Sequence, residues 1–377
     1  MHANAAPLRI FHIAANQVTE SDQWPLQLPE QGFIWLAISR SLLQEQPDVV
    51  QQTLHSLCGQ PLVDLHVLDL LNLQLPSHYD YTSQYDLLVF RRLSSWRTAS
   101  GNSEATGAER DGQSKRRVRG PVILRRIDTS PVGLVIFDRV LLSVHPDDMS
   151  VREHYADRLL EAGSQASRST GAKLPTSPAD LMLRLVNLMV DQYLDLRREL
   201  NRQLDHWQIE LLKPGSRFAN WSAVLDARIT LHKLDEICED QRSAIQDWID
   251  ALETWPDDST AVLQRERELL KVRSRDVLEH IERVVRHVQR LEHSTEAAVQ
   301  MHFSAQSHRT NDIMRILTAL TAVFLPLNLI TGFFGMNFDF MPAIHNSAGL
   351  WWVMGLMVTL ALTVIGIFWR KRYLASR

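Results

Sequence analysis

Two charge-free apolar segments near the carboxyl end constrain the fold more than any other feature. The first, Ile316 to Phe334, and the second, Leu350 to Trp369, contain no Asp, Glu, Lys or Arg. Each has roughly the 20 residues that a helix needs to cross about 30 Å of hydrocarbon. We therefore expect transmembrane helices over 312–335 and 350–369, joined by a short loop over 336–349.

The distribution of charged residues separates a part of the chain suited to water from a part suited to lipid. The 377 residues carry a formal net charge of −4, and most charged side chains precede Asp312. This distribution predicts a large soluble part on a small membrane anchor. The mildly acidic balance gives no reason to expect a nucleic-acid partner.

Basic residues predict the orientation in the membrane. Four follow the second apolar segment and none lies in the loop before it: Arg370, Lys371, Arg372 and Arg377. Since cytoplasmic flanks of membrane helices are enriched in Lys and Arg, we expect both termini in the cytoplasm and the loop outside, in the periplasm. Cys58 and Cys238 offer neither a metal-site spacing nor a disulfide framework, which fits a reducing compartment.

The amino-terminal region, residues 1–177, has the pattern of a cytoplasmic α/β domain. Four apolar runs predict strands of one sheet: 33–38, 87–90, 133–137 and 140–144. Between them, residues 47–73 have helical spacing. Residues 100–120 are rich in Gly, Ser and charge and are predicted to form a flexible loop.

Residues 178–311 predict long helices. Asp180 to Leu212 and Trp221 to Leu252 are the first two, and no Pro or Gly interrupts Asp257 to Leu325. An apolar heptad seam runs along the third helix: Leu263, Leu270, Val277, Ile281, Val284, Val288, Leu291 and Ala298. A helix from Ser259 to Phe334 would measure about 110 Å, too long for one globular domain. We expect it to continue into the membrane, where copies from neighbouring protomers surround an axis, because one or two helices cannot enclose a water-filled path.

One face of the first apolar segment mixes polar and bulky apolar side chains. Its members recur at spacings of three and four: Asn311, Met314, Leu317, Thr321, Leu325, Asn328 and Gly332. Amides and hydroxyls can hold the water around a cation, and rings of apolar residues can close a path by dewetting it. The alternative is that the polar residues only bond to neighbouring helices.

The tripeptide Gly335-Met336-Asn337 ends the first segment. Glycine permits close backbone approach, and Asn337 presents a carbonyl oxygen without a fixed charge. A ring of such carbonyls suits a hydrated divalent ion such as magnesium, which dehydrates reluctantly. Asp339 either adds negative potential nearby or is an ordinary solvated loop acid.

These residues carry a family resemblance. Pro326, the run Thr331 to Phe338, and Met341-Pro342 resemble the first transmembrane helix and outer loop of the CorA family of divalent-cation transporters. The resemblance extends more weakly upstream, over 311–314, 275–280 and 69–72.

The resemblance implies an α+β membrane protein that forms a homopentamer, with the long helices as a cytoplasmic funnel and the first span lining the pore. It assigns selectivity to Gly335, Met336 and Asn337, an inner polar ring to Asn311, and a hydrophobic gate to Met314, Leu317 and Leu325. Asp276 and Asp69 match acidic positions where cytoplasmic magnesium bridges protomers and favours closure.

Some positions depart from the family pattern, so the sequence leaves the identity of the transported ion open. Ala343 stands where many magnesium-transporting members have an acid, and Asn328 stands where threonine is common. The surroundings of Pro326 are similar to the zinc-transporting ZntB branch, and a CmaX-like subgroup is a further resemblance. Histidines on the long helix could serve zinc, although solvated or interprotomer histidines are the simpler interpretation.

The leading hypothesis is gated passage of hydrated Mg²⁺, with Co²⁺, Ni²⁺ or Zn²⁺ also possible, across the inner membrane. The alternatives are a ZntB-like Zn²⁺ transporter, which would couple to protons, and a non-conducting membrane sensor or scaffold. No nucleotide-binding Gly-x-x-x-x-Gly-Lys-Ser/Thr loop and no assignable catalytic arrangement occurs in the sequence, so neither a pump, an organic cofactor nor an enzyme is expected. The expected partners are divalent cations, membrane lipid and other copies of the chain.

Overall fold

The computed structural model describes residues 6–14, 17–94, 127–148, 150–163, 174–212, 221–255, 261–336 and 347–370. The chain divides into two compact units, 1–295 and 296–377. Four predicted features lie outside the described residues: Asn337, Asp339, the 100–120 loop and the tail beyond Arg370.

The first unit contains a seven-stranded sheet. Its strands are β1 (Leu8–Ala14), β2 (Gln17–Ser21), β3 (Phe33–Ser39), β4 (His78–Tyr81), β5 (Asp86–Leu93), β6 (Thr129–Ile136) and β7 (Val140–His145). Their order is β2-β1-β3-β7-β6-β5-β4, with β3 and β7 parallel and every other neighbouring pair antiparallel. The four strands predicted from apolar runs are β3, β5, β6 and β7, while β1, β2 and β4 were not predicted.

The centre of the sheet is buried on both faces. Every residue of β3 and of β7 is buried, which is the usual reason that central strands are continuous apolar runs. On one face, Trp35 stacks on Phe11 at 4.8 Å between ring centroids and donates a hydrogen bond to Ser143 at 2.7 Å. The polar end of this buried indole is therefore satisfied.

Three short helices, α1 (Arg40–Glu45), α2 (Pro47–Cys58) and α3 (Asp64–Leu71), follow β3. The predicted helical stretch 47–73 is thus two helices, and Gly59, at φ 83°, ends the first of them in the left-handed region. Apolar side chains of α1 to α3 join those of the sheet in one buried core cluster. The Tyr85 hydroxyl fixes the start of α3, because it accepts from the Val63 N–H at 3.0 Å and contacts His66 Nδ1 at 2.8 Å.

The remaining helices are α4 (Ser150–Gly163), α5 (Pro178–Leu212), α6 (Trp221–Thr254), α7 (Ala261–Phe334) and α8 (Ser347–Arg370). The α5 and α6 helices pack against β5. Both helices donate a hydrogen bond to the same backbone atom of that strand. The Arg91 carbonyl oxygen accepts from Tyr193 Oη of α5 at 3.0 Å and from Gln241 Nε2 of α6 at 2.7 Å. The predicted long helices are confirmed, with bounds within a few residues of those expected.

The predicted heptad seam of α7 is buried within a single chain. Seven of its members are 5% exposed or less: Leu270, Val277, Ile281, Val284, Val288, Leu291 and Ala298. Trp248 of α6 donates its indole N–H to Ser274 of α7 at 3.0 Å, and both residues are fully buried. The seam thus has an intrachain packing role.

Candidate functional site

The first two residues of the tripeptide, Gly335 and Met336, directly follow the last turn of α7. The Gly335 N–H donates to the Thr331 carbonyl at 2.9 Å, and the Met336 N–H donates to the Phe333 carbonyl at 3.4 Å. A Cβ atom placed on Gly335 would lie 2.9 Å from the Thr331 carbonyl oxygen. Such contacts are closer than real Cβ atoms make, so this backbone geometry favours glycine.

The predicted mixed face lies on the same helix. All seven residues are exposed in the single chain: Asn311, Met314, Leu317, Thr321, Leu325, Asn328 and Gly332. Their spacing of three and four along an uninterrupted helix places them on one side of it. The structure thus brings the predicted polar and apolar residues to one surface of α7 that its own chain leaves uncovered.

The apolar side chains around this face are also uncovered. Leu325 is 66% exposed and Leu329 is 72% exposed. Both α7 and α8 contain an 18-residue window long and apolar enough to cross a membrane, and only 6% and 0% of those windows is buried inside the chain. Exposed apolar surface of this extent needs lipid or other protein to cover it.

A hydroxyl inside the α7 span bonds to its own helix. Thr321 Oγ1 donates to the Leu317 carbonyl at 2.8 Å, as Thr318 Oγ1 does to the Met314 carbonyl at 2.7 Å. This bond satisfies the hydroxyl proton, and the oxygen of Thr321 keeps its capacity to accept a hydrogen bond. Such an oxygen can accept from water around a cation.

The two acidic residues proposed for regulation lie on different elements of the first unit. Asp276 is on α7 with its side chain 62% exposed, and its Oδ1 lies 3.9 Å from His280 Nε2. Asp69 is half-buried on α3. Within the part of the chain that the structure describes, no hydrogen bond or ion pair joins them, and no group of three or more His, Cys, Asp or Glu residues is placed to hold a metal ion.

An ion cluster that sequence reasoning missed joins α5 to α7. Asp180, whose side chain is 2% exposed, pairs with Arg184 of its own helix at 3.2 Å and with Arg273 of α7. Asp180 also accepts from the Thr176 N–H at 3.2 Å, while its own N–H donates to Ser177 Oγ at 3.3 Å. This reciprocal arrangement resembles a capping box ahead of a helix with proline at its first position. The spacing of Asp180 and Arg184 signals the pair on α5, but nothing in the sequence indicates Arg273.

Known proteins are similar to this chain in sequence and in fold. A protein-family model described as "CorA-like Mg2+ transporter protein" matches residues 118–372. The cobalt/magnesium transport protein CorA of Thermotoga maritima is 24% identical over 194 residues, covering 52% of each protein. The chain spans about half the length of two curated relatives, 52% of the T. maritima protein and 59% of YfjQ of Bacillus subtilis, which is 27% identical over 199 residues.

Two solved structures share the fold over nearly the whole chain. The complete structure of the CorA magnesium transporter from Methanocaldococcus jannaschii has a TM-score of 0.70 at 17% identity, covering 97% of this chain and 98% of that one. The full-length CmaX protein has a TM-score of 0.58 at 19% identity, covering 99% and 100%. The family model covers more than half of the chain. The matched range includes the exposed face of α7 and Gly335. This chain belongs to the CorA-like Mg²⁺ transporter family.

Proposed function

We propose that the chain forms a gated channel for hydrated divalent cations, with Mg²⁺ as its main substrate, in a bacterial inner membrane. The observation that carries the proposal is the uncovered face of α7, a helix that ends at Phe334, directly before Gly335. Membership of the family supports transport, and the T. maritima relative, named for cobalt and magnesium, supports this choice of ions.

The pore forms where five copies of α7 surround an axis. Neither α7 nor α8 alone can enclose water, and the uncovered face supplies the surface that a symmetric assembly would bury. Amides of Asn311 and Asn328 and the hydroxyl of Thr321 then form polar rings that hold the outer water of the ion. Gly332 leaves room for this water near the outer mouth.

Selection takes place at Gly335, Met336 and Asn337. Magnesium gives up its water reluctantly, so neutral carbonyls that bind the hydrated ion avoid its dehydration cost. Asp339 raises the local cation concentration by its negative charge. The membrane potential drives the ion inward, toward the cytoplasmic termini.

Three apolar residues close the path. Met314, Leu317 and Leu325 are each more than half exposed in the single chain, and rings of them exclude water when the pore narrows. Magnesium bound between protomers at Asp276 and Asp69 favours this closed state, so cytoplasmic magnesium limits its own uptake. The side chain of Asp276 is 62% exposed in the single chain, which leaves it accessible to a neighbouring copy.

Replacing Asp276 with alanine is expected to weaken this feedback. Loss of one carboxylate from each shared site lowers the affinity for the inhibitory ion, so half-inhibition needs at least about fivefold more cytoplasmic magnesium. The measurement is channel current in excised patches against magnesium on the cytoplasmic side. Glu279→Ala is the matched control, because Glu279 is equally exposed on the same helix and pairs only with Arg283 among the described residues. Equal inhibition of both variants would remove Asp276 from the regulatory site.

Zinc is the second candidate substrate. Ala343 leaves the outer loop without an acid after Met341-Pro342, which weakens its attraction for magnesium. A transporter of this kind would take up Zn²⁺ with protons in the manner of the ZntB branch.

The test is cation uptake into liposomes that contain the purified full-length protein. Magnesium and zinc are measured separately with ion-sensitive dyes, under a set voltage and then under a set pH gradient. Asn337→Ala serves as the matched variant, since it removes the amide of the tripeptide, and protein-free liposomes serve as the blank. Voltage-driven magnesium uptake that Asn337→Ala loses is the expected result.

Two other outcomes would change the assignment. Zinc uptake that requires the proton gradient would favour the second candidate. No uptake of either ion by intact pentamers, with magnesium absent from the interior, would favour a membrane sensor or scaffold.

A further inference from the structure

A cavity of about 1210 Å³ lies in the first unit, where β4 and the turn after it face the C-terminal end of α6 and the first turns of α7. Its volume exceeds the usual range of small-molecule sites, about 300–1,000 Å³, so it has room for an extended ligand. Asp69, Asp276 and the exposed face of α7 do not belong to its lining. The cavity is therefore separate from the sites assigned above.

Aromatic rings form one wall of the cavity. Tyr79 and Tyr81, two residues apart on β4, share a face of the strand and stack with 6.2 Å between ring centroids. Tyr79 and Trp255 each meet the buried Trp248 edge-on at 5.9 Å. Tyr79, Tyr81 and Trp255 line the cavity. Tyr81 is 68% exposed, so packing within the chain leaves most of its surface open to a ligand.

Carboxylates surround this aromatic wall. Six of them line the cavity: Asp80, Asp86, Asp138, Asp247, Asp250 and Glu266. Within the described residues, no lysine or arginine forms an ion pair with any of the six, and Asp80 contacts the imidazole of His66 at 3.2 Å. Arg267 is the one basic side chain among the described lining residues, and it donates to the Leu252 and Glu253 carbonyls at the end of α6. The lining therefore carries excess negative charge.

Neutral groups hold some of these carboxylates in place. Asp86 accepts from Tyr79 Oη at 2.5 Å, and Asp250 accepts from Gln246 Nε2 at 2.8 Å. These bonds fix the carboxylates without supplying a countercharge. A cationic ligand would therefore meet negative groups that are already positioned.

The arrangement favours an organic cation over a metal ion. A hard metal ion needs several oxygen ligands that converge, and no group of three or more His, Cys, Asp or Glu residues in the described ranges is placed to hold one. Carboxylates spread along an aromatic wall suit several ammonium groups joined by CH₂ segments. Ammonium groups pair with carboxylates and with the faces of aromatic rings, and CH₂ segments pack on the same rings.

We propose that this cavity binds a linear aliphatic polyamine, of the chemical class of spermidine. Its ammonium groups pair with carboxylates of the β4–β5 turn and of α6, such as Asp86 and Asp247. Its CH₂ segments lie on the rings of Tyr81 and Trp255. Binding does not depend on transport, and only an effect of the polyamine on gating, through α7, rests on the proposed function.

The experiment is isothermal titration calorimetry with spermidine on the purified full-length protein, in buffer with saturating magnesium. Magnesium fills the metal sites of the proposed function, so the heat of spermidine binding reports an additional site. Saturable binding is expected. Tyr81→Ala should weaken it by at least about fivefold, because it removes an exposed aromatic face, while Tyr81→Phe keeps that face and should bind as the unaltered protein does. Asp247→Asn should also weaken binding by at least about fivefold, because it removes a carboxylate partner.

Asp226→Asn is the matched control for Asp247→Asn, because Asp226 is also exposed on α6 and does not line the cavity. No saturable binding to the unaltered protein would overturn the proposal, as would equal affinities of the two asparagine variants. Unchanged affinity of Tyr81→Ala would overturn it too, since the aromatic wall would then play no part. Spermidine binding that occurs in EDTA but is lost in magnesium would indicate an acidic surface that takes any cation, which is also contrary to the proposal. No ion flux is measured, so failure of this site and failure of the channel function are distinguishable.

Discussion

Replacing Gly335 with alanine is expected to reduce voltage-driven magnesium uptake by at least about tenfold, because even about 1.4 kcal/mol of strain at a selectivity site has that effect on a rate. The added methyl group would lie 2.9 Å from the Thr331 carbonyl oxygen, which is backbone and cannot rotate away. The end of α7 must therefore shift, and Met336 shifts with it. The carbonyls that follow lose the spacing that fits a hydrated ion.

A second glycine separates this effect from a general loss of helix flexibility. Gly355 lies in α8, and a Cβ atom placed on it meets nothing within 4 Å. Gly355→Ala should conduct as the unaltered protein does, with both variants forming the same oligomer by size-exclusion chromatography. Normal uptake by Gly335→Ala in the liposome assay would show that the tripeptide tolerates a side chain at its first position and does not set the pore mouth by close backbone approach.

The position of a strand decides whether its sequence reveals it. Strands β3 and β7 lie at the centre of the sheet and are buried throughout, so their apolar runs predict them. Strand β2 at one edge and β4 at the other have no fully buried residue. Edge strands face solvent along one side, and their polar sequences resemble those of loops. Apolar periodicity alone therefore finds four inner strands of this sheet and misses both edges, and it also misses the inner strand β1, whose apolar run is interrupted by Arg9 and His12.

The candidate pore was readable from the sequence because it lies on one helix. Asn311 and Gly332 are fixed on the same face by the 3.6-residue period alone, provided that nothing breaks the helix between them. The Asp180 cluster was not readable, because Asp180 and Arg184 lie on α5 whereas Arg273 lies on α7. Only the packing of α5 against α7 brings these side chains together, and no local pattern encodes that packing.

Replacing Asp180 with asparagine is expected to destabilise the first unit by about 2–3 kcal/mol, because it removes a buried carboxylate that pairs with both Arg184 and Arg273. Asp180 is 1% exposed, whereas the side chains of Arg184 and Arg273 are 26% and 38% exposed. The arginines can turn toward water, so the cost should fall short of that for a fully buried charge. For a unit of this size, the midpoint of thermal unfolding should fall by about 3–5 °C. Tryptophan fluorescence would follow the transition, since Trp248 is buried between α6 and α7.

An exposed ion pair on the same long helix provides the matched control. Glu279 and Arg283 are 3.0 Å apart with side chains 64% and 47% exposed, so Glu279→Gln should cost less than about 0.5 kcal/mol. Asp180→Asn should therefore lower the unfolding midpoint clearly more than Glu279→Gln does. If the two variants unfold at the same temperature, the Asp180 cluster does not stabilise the packing of α5 on α7.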